Sequence, residues 1–551
     1  MKTNKRLLAI AIAALAFGAC QKENSNILII EAEGMHNGTK MAIDGNSTYW
    51  ANGDRVRIKG ANDELFENYY EININNNQAT IDVSSNESLR TPICGIYPSS
   101  ISPAHSRDNI YVVNLPGTYT YDTTYVNSVE KQNLQTPMMA YTENGNTMLF
   151  KHLTGAVTVE ITNDFGIDVR VTDITVSSNL YQLCGERYID ITNITHDATD
   201  ADTAQTDNVD YRKVQMTFGG TAQLIIPSGQ TKQVQLPVLP VGRLNKFTIS
   251  VTVQNKDDVE MEYTFTKTQA SSHALLRAQI GYAPAKFGGR FHYGTGSQYV
   301  RFAPGNLQYQ ARIDPFTDHG TWRFAKHQWD LVDNDPSTSG NATRVDRNTQ
   351  EDWIDLFGYG TSGEDREQNA YQPWDTSIVD ADYISCNLSD YYVWSDWGWN
   401  NPISNGGDMP EKWRTPDWDL IISNNPVAYA QVNGVYGIII LPVDYSHPLP
   451  QALNLYTNGS SGINDNYGAN IISFADWPKM EVAGAIFLPA AGMRIGTNLN
   501  VFLESTGCYW SSTGYGNGQA YVLQFGPGNI SSSYRHPVSH GCAVRLIRVN
   551  D

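Results

Sequence analysis

The sequence predicts a mainly β protein: two tandem β-sandwiches followed by an α+β domain. Three observations carry that reading. Before about Phe287 the chain is rich in Thr, Val, Ile and Asn and alternates with period two, as half-buried antiparallel strands do. Ala156–Ile161, Gln233–Val238 and Phe247–Val253 are the clearest examples. Turn dipeptides such as Asp44-Gly45, Asn144-Gly145 and Ser228-Gly229 punctuate these runs, and no long stretch there carries a 3.6-residue apolar stripe. Third, eleven of the 12 Trp lie from Trp322 onward, so the chain changes texture near residue 287.

Each element follows in order. Lys2, Lys5 and Arg6 precede the apolar run Leu7–Phe17 and then Gly18-Ala19-Cys20. The run is too short to span a bilayer and reads as a signal peptide. Residues 21–26 form a tether, 27–147 the first sandwich, 148–286 the second, and 287–551 the α+β domain, with short helices expected at Pro416–Ser423 after a Thr415 cap and at Phe474–Glu481. No later segment is apolar for long enough to suggest a transmembrane helix.

Composition narrows the function. Net charge is −19, from 57 acids against 38 bases, which disfavours a nucleic-acid binder because tracking a phosphate backbone needs a basic face. Charged residues make up only 17%, against 31 Tyr and 12 Trp, so the chain should fold. Six Cys are too few for a disulfide scaffold.

Several segments resemble known families. Gly18-Ala19-Cys20 resembles a bacterial lipobox, with Phe17 an unusual third residue, which implies cleavage before Cys20 and acylation of its thiol. Gln21-Lys22-Glu23-Asn24 is similar to a tag that directs lipoproteins to the surface of the outer membrane. Lys40–Gly45, Trp50, Gly53-Asp54, Val56–Ile58, Tyr97-Pro98, Pro137–Ala140, Phe150–Val159, Leu224–Pro227 and a hairpin near Tyr263–Thr268 follow in an order that resembles the fimbrillin (Mfa-like) family of type V pilus subunits. That resemblance implies assembly by donor-strand exchange with other pilus subunits. Ile27–Ile30 would be the first strand and Lys40 a candidate processing site. The alternative is that Ile27–Ile30 stays in place in an uncleaved tip, anchor or surface protein.

From Val300–Tyr309 through Trp322–Ala325, Gln328–Asp330, Trp353–Gly363, Trp413–Pro416, Phe487–Gly492, Tyr509–Ser512 and Ala543–Arg548, the chain resembles the major-paralogous (FISUMP-type) domain, related to the C-type-lectin-like and formylglycine-generating fold. The resemblance implies three alternatives for this module. Formylglycine-generating chemistry needs two neighbouring thiols. Near Ser539–Ala543 only Cys542 is present, so no enzyme activity is expected. His536 and His540 would suit a metal only on a helix, which this stretch does not predict. Calcium-dependent sugar binding would use an oxygen-rich run, for which Asp330, Asp333 and Asp335 are candidates, against a plain solvated loop.

A calcium-independent surface is the third reading. Tyr391, Tyr392, Trp394, Trp397, Trp399 and Asn400 concentrate aromatic faces on which sugars stack beside polar groups that read hydroxyls, unless most of these rings fill the core. Trp413 and Trp510 lie in framework motifs and are assigned to the core. Cys508 and Cys542 precede two strands that, if paired, would set them close enough for a disulfide. Asp122-Thr123-Thr124 and Asp202-Thr203-Ala204 resemble an O-glycosylation motif.

The resemblances therefore imply a fimbrial tip or accessory subunit at the outer-membrane surface, held to the membrane by its lipid. Its C-terminal module would bind a host, bacterial or dietary glycan or protein, with no cofactor required. The alternative is a stand-alone surface lipoprotein that binds glycans.

Overall fold

A computed structural model describes residues 27–549 other than 35, 38–49, 51, 61–65, 76, 77, 85–91, 127, 128, 144, 145, 195–205, 242–245, 271–273, 311–319, 332–352, 363–382, 391–394, 458–464 and 497. The protein is mainly β, as the alternation predicts. Cys20, Lys40, Tyr391, Tyr392, Trp394, Asp333 and Asp335 lie outside the described residues. Among the described residues no helix is long and apolar enough to cross a membrane.

The first module is built on one eight-stranded sheet. Its order is Tyr69–Glu71, Arg55–Gly60, Pro92–Tyr97, Met138–Tyr141, Thr147–His152, Ile27–Ala32, Gln78–Asp82, Asn73–Asn75. Alternate residues of six of these strands share one core: Val56 and Ile58, Tyr97, Met138 and Ala140, Met148 and Phe150, Leu28 and Ile30, Ala79 and Ile81. Period-two patterning puts exactly these side chains on one face. Gly95 lets Phe150 lie on its neighbour, since a Cβ there would sit 2.7 Å from that ring. The opposite face, with Cys94, Ile96 and Met139, packs on Tyr111, Val113 and Leu115.

The N-terminal strand Ile27–Ala32 lies inside this sheet, not at its edge. It runs parallel to Thr147–His152, with Ile30 opposite Met148, and antiparallel to Gln78–Asp82, with Ile30 opposite Ala79. A few residues on, His36–Asn37 pairs with Gln279 and Ile280 of the second module.

The second module stacks two sheets. One holds Gln279–Gly288, Gly155–Asp164 and Thr231–Val238. The other orders Thr118–Thr120, Lys213–Thr217, Val169–Ser178, Lys246–Asn255 and Asp258–Ala270. The three sequence-predicted runs fall within Gly155–Asp164, Thr231–Val238 and Lys246–Asn255, with Val157, Val159, Val234, Leu236, Ile249 and Val251 in the shared core.

The expected division at residues 147 and 148 does not separate the modules. Thr147–His152 belongs to the first sheet, whereas Ile110–Leu115 pairs with Gly185–Asp190 and Thr118–Thr120 with Lys213–Thr217. Strand pairing is set by register over long sequence separations, so a compositional boundary misses such exchanges.

Among its described residues the C-terminal module has short strands in several small sheets and three short α-helices, Trp397–Asn400, Trp418–Ile422 and Trp477–Val482. The two helices expected from the sequence appear as the latter pair. The first is capped by Asp417, whose side chain accepts from Asp419 N, and not by Thr415. Trp397, Trp413, Trp418, Trp477 and Trp510 are fully buried. The Trp413, Trp418 and Trp510 indoles donate to the carbonyls of Gly406 (2.8 Å), Trp510 (2.9 Å) and Phe357 (2.6 Å), which offsets the cost of burying each N–H.

The second and C-terminal modules are fused. One hydrophobic core runs from Val159 and Ile174 to Trp413 and Trp510. Gly166 sits so close to Phe302 and Trp413 that a Cβ would lie 2.6–2.7 Å from them. Asn255 Nδ2 donates to Asn405 O at 2.7 Å, and Arg548 Nη1 reaches Asp168 Oδ1 at 3.1 Å.

Candidate functional site

Three places in the fold carry the chemistry that the sequence points to. The first is the Trp-rich segment. Asp396 is buried and caps the helix Trp397–Asn400, accepting from Gly398 N (2.9 Å) and Trp399 N (3.3 Å) through Oδ1, while Oδ2 accepts from Thr415 N (2.8 Å). Burial pushes its carboxyl up, against the pull of these three donors. The cap turns Trp397 inward. Its ring is 0% exposed and its Nε1 donates to Thr361 O at 3.2 Å. The expectation that Trp397 offers a face to a ligand is therefore corrected: the helical turn aims it at the core. Trp399 is half-buried under the Arg414 guanidinium, 4.6 Å from its ring centre, and Asn400 Nδ2 donates to Ser362 Oγ at 2.9 Å.

Of the oxygen-rich run only Asp330 and Leu331 are described, and among the described residues no group of three His, Cys, Asp or Glu side chains converges. Asp330 Oδ2 instead accepts from His327 N at 2.8 Å, closing a turn.

That turn leads to a surface the sequence did not single out. Trp329 is half-buried and stacks on His327, with centroids 4.7 Å apart and planes 4° from parallel. Phe474, 62% exposed, approaches Trp329 edge-on at 6.1 Å, and Ile471 is 73% exposed. Ile471 and Ile472 form the edge strand beside Val427–Val432. Together with Leu449–Asn454 and Asp476 they line a groove of about 360 Å³. Its wall is pinned by Asn470, which donates to Tyr429 O (2.7 Å) and Asn454 O (3.0 Å) and accepts from Asn454 N (2.8 Å). These rings are scattered along the chain, at 329 and 474, so no sequence cluster marks them.

The second place is the N-terminal strand. Glu33, just past its end, meets Arg277 of the second module in a bidentate ion pair, with Arg277 Nη2 donating to Glu33 Oε1 at 3.0 Å. His152 N donates to Glu33 Oε2 at 3.1 Å, and His152 Nε2 lies 3.0 Å from Glu33 O. Burial holds the His152 imidazole down to about 4, although the Glu33 carboxylate opposes this. Burial raises the Glu33 carboxyl, but the Arg277 hydrogen bond and charge outweigh it and leave it below its usual range.

The third place is a thiol pair. Tyr509 and Ala543 are opposite one another in parallel strands, which sets Cys508 beside Cys542. Their Sγ atoms are 2.9 Å apart and both residues are 0% exposed. Cys542 is the one thiol in Ser539–Ala543, and the thiol beside it is Cys508, 34 residues upstream, the pair that the sequence sets as candidates for a bridge. His536 and His540 are not on a helix. Their rings lie 5.6 Å apart, and His536 Nε2 contacts Gln524 Oε1 at 2.7 Å. Cys94, Cys184 and Cys386 are free thiols.

No family model and no curated protein matches the chain. Among solved structures, a candidate cell adhesion protein from Bacteroides ovatus aligns at 13% identity over 47% of this chain and 91% of its own, with a TM-score of 0.27. A candidate cell adhesion protein from Bacteroides fragilis aligns at 10% identity over 54% and 97%, TM-score 0.23. A fimbrial protein from Bacteroides ovatus aligns at 9% identity over 96% and 100%, TM-score 0.22. Superposition at that level transfers neither a fold nor a function.

Proposed function

We propose that the protein is a surface adhesin of the type V pilus kind, a tip or accessory subunit whose C-terminal module meets the ligand. The observation that carries this reading is the placement of Ile27–Asn37. This segment lies just upstream of Lys40; its strand Ile27–Ala32 fills a slot between Thr147–His152 and Gln78–Asp82, and His36–Asn37 pairs with Gln279 and Ile280 of the second module. Cleavage after Lys40 would free it. The slot left behind would expose two lines of unpaired backbone groups and the apolar sites of Leu28 and Ile30, which are 3% and 2% exposed while the strand is in place. A neighbouring subunit's strand meets those needs by β-augmentation. The fused second and C-terminal modules would then hold the ligand-binding surface rigidly on the polymer.

For the ligand, the exposed Phe474 ring, backed by half-buried Trp329, and the groove at Leu449–Asn454 combine an aromatic surface with Asn, Gln and Asp groups, the composition of a sugar-binding surface. A glycan and host-protein array probed with the full chain tests this. The reading expects specific binding that Phe474→Ala and Trp329→Ala abolish without unfolding the protein. Binding unchanged in both variants would contradict it.

A second reading is favoured by the Glu33–Arg277 pair, which ties the N-terminal strand to the second module. With that strand permanently locked, the protein would be a stand-alone surface lipoprotein, anchored through Cys20, that binds glycans without polymerising.

A further inference from the structure

We propose that Cys508 and Cys542 form a redox pair that closes to a disulfide in the exported protein, with His536 as the positioning residue that readies Cys508 to attack. The geometry comes from three strands. Gly507–Gly516 and Cys542–Ala543 run parallel and bring the two sulfurs to 2.9 Å, with no other side chain between them. Asn529–Pro537, on the far side of Gln519–Gly526, carries His536. Its ring lies 2.7 Å from Gln524 Oε1, and Gln524, in the intervening strand, is the residue paired with Cys508.

The electrostatics agree with the geometry. Burial raises the Cys508 thiol, but the hydrogen bonds from Cys542 and His536 and the imidazolium charge outweigh it and bring it down to about 6. Burial and the neighbouring Cys508 thiolate hold Cys542 far above the usual thiol range. The two environments pull the thiols in opposite directions, Cys508 toward the attacking thiolate and Cys542 toward the protonated partner of thiol–disulfide exchange.

The chemistry balances with a disulfide as oxidant, supplied by the oxidising compartment that an exported chain enters. Cys508 thiolate attacks one sulfur of the oxidant. An S–S bond forms between them, the oxidant's own S–S bond breaks, and its leaving thiolate takes up a proton. Cys542 then gives up its proton, attacks Cys508 Sγ and expels the oxidant's other half as a thiol. Two protein thiols lose two electrons, and one disulfide becomes two thiols. The two-residue strand Cys542–Ala543 is the short element that opens to admit the oxidant, and the finished bridge is then shielded by complete burial.

The test uses the full chain isolated from an oxidising compartment and alkylated with iodoacetamide in denaturant, without reductant. Peptide mapping should find the Cys508 and Cys542 peptides joined, lighter by two hydrogens than the reduced pair, while Cys94, Cys184 and Cys386 carry the label. Reduced protein incubated with oxidised glutathione should give the same linkage. In His536→Asn the rate of closure at pH 7 should fall roughly tenfold, and the gap should narrow toward pH 9, where an ordinary thiol ionises unaided. A purely structural histidine would slow closure equally at both pH values. Full labelling of Cys508 and Cys542 before and after glutathione treatment would overturn the proposal. So would a reduced pair that retains one copper per chain. Because the mapping is done on the unmodified protein, misfolding of a cysteine variant does not affect the outcome.

Discussion

Arg301 donates Nη2 to Asp164 Oδ1 at 2.7 Å and Nε to the same oxygen at 3.2 Å, and both side chains are at least nine-tenths buried. One residue opens the C-terminal module and the other ends a strand of the second, so this ion pair is the joint between them. Lys286 Nζ, 3.4 Å from Asp164 Oδ2, adds a second cation at its rim. Removing Asp164 strips the buried Arg301 guanidinium of its carboxylate, whereas removing Arg301 leaves Asp164 with Lys286 and Arg290 at its rim. Asp164→Ala should therefore cost about 3–5 kcal/mol and Arg301→Ala less, whereas Arg301→Met with Asp164→Leu should recover much of the loss. Urea unfolding of the three variants checks this, with limited proteolysis near Gly288 reporting whether the joint itself has opened.

The lock on the N-terminal strand depends on pH with a definite sign. His152 is neutral in the folded protein because its imidazole is held at about 4, while an unfolded histidine takes up a proton near 6.5. The unfolded state binds more protons between these values, so stability is complete above the upper one and falls as pH drops toward the lower, by about 3 kcal/mol. Glu33, also held low, adds to the loss in the acid range. Glu481, part-buried beside Gln328 and pushed up to about 7 chiefly by desolvation, runs the opposite way and weakens the protein as pH rises toward neutrality. The His152 contribution is therefore read as the difference between the protein and His152→Gln. That difference should shrink steadily between pH 6.5 and pH 4, and a constant difference would refute it.

Rings at the surface and rings in the core should respond differently. Trp397→Ala removes a fully buried indole and should destabilise the protein by about 3–5 kcal/mol. Phe474→Ala removes a ring that is 62% exposed and should leave the thermal midpoint nearly unchanged while abolishing ligand binding. Differential scanning calorimetry alongside the binding assay distinguishes the two.

Much of this was legible in the sequence. Period-two runs such as Phe247–Val253 marked their strands because one face of each is buried, and Trp413 and Trp510 are core as their motifs suggested. Helix positions near Trp418 and Trp477 were legible from Thr, Asp and Pro signals, although the cap fell on Asp417. What escaped depends on contacts distant in sequence. The pairing of Ile30 with Met148 is set by sheet register, and the convergence of Trp329 with Phe474 by packing between two turns far apart in the chain. The inward turn of Trp397 was hidden because Asp396 reads equally as a sugar ligand or as a cap until its three N–H donors are seen.

The central claim is that the Ile27–Ala32 strand is exchanged for a neighbour's. Its most direct test is mass spectrometry of the protein in surface assemblies, combining its mature N-terminus with cross-links. The account predicts a start just after Lys40 and intermolecular cross-links from a second subunit to Thr147–His152 and Gln78–Asp82. A start at Cys20, with only intramolecular links between Ile27–Ala32 and those two strands, would contradict it.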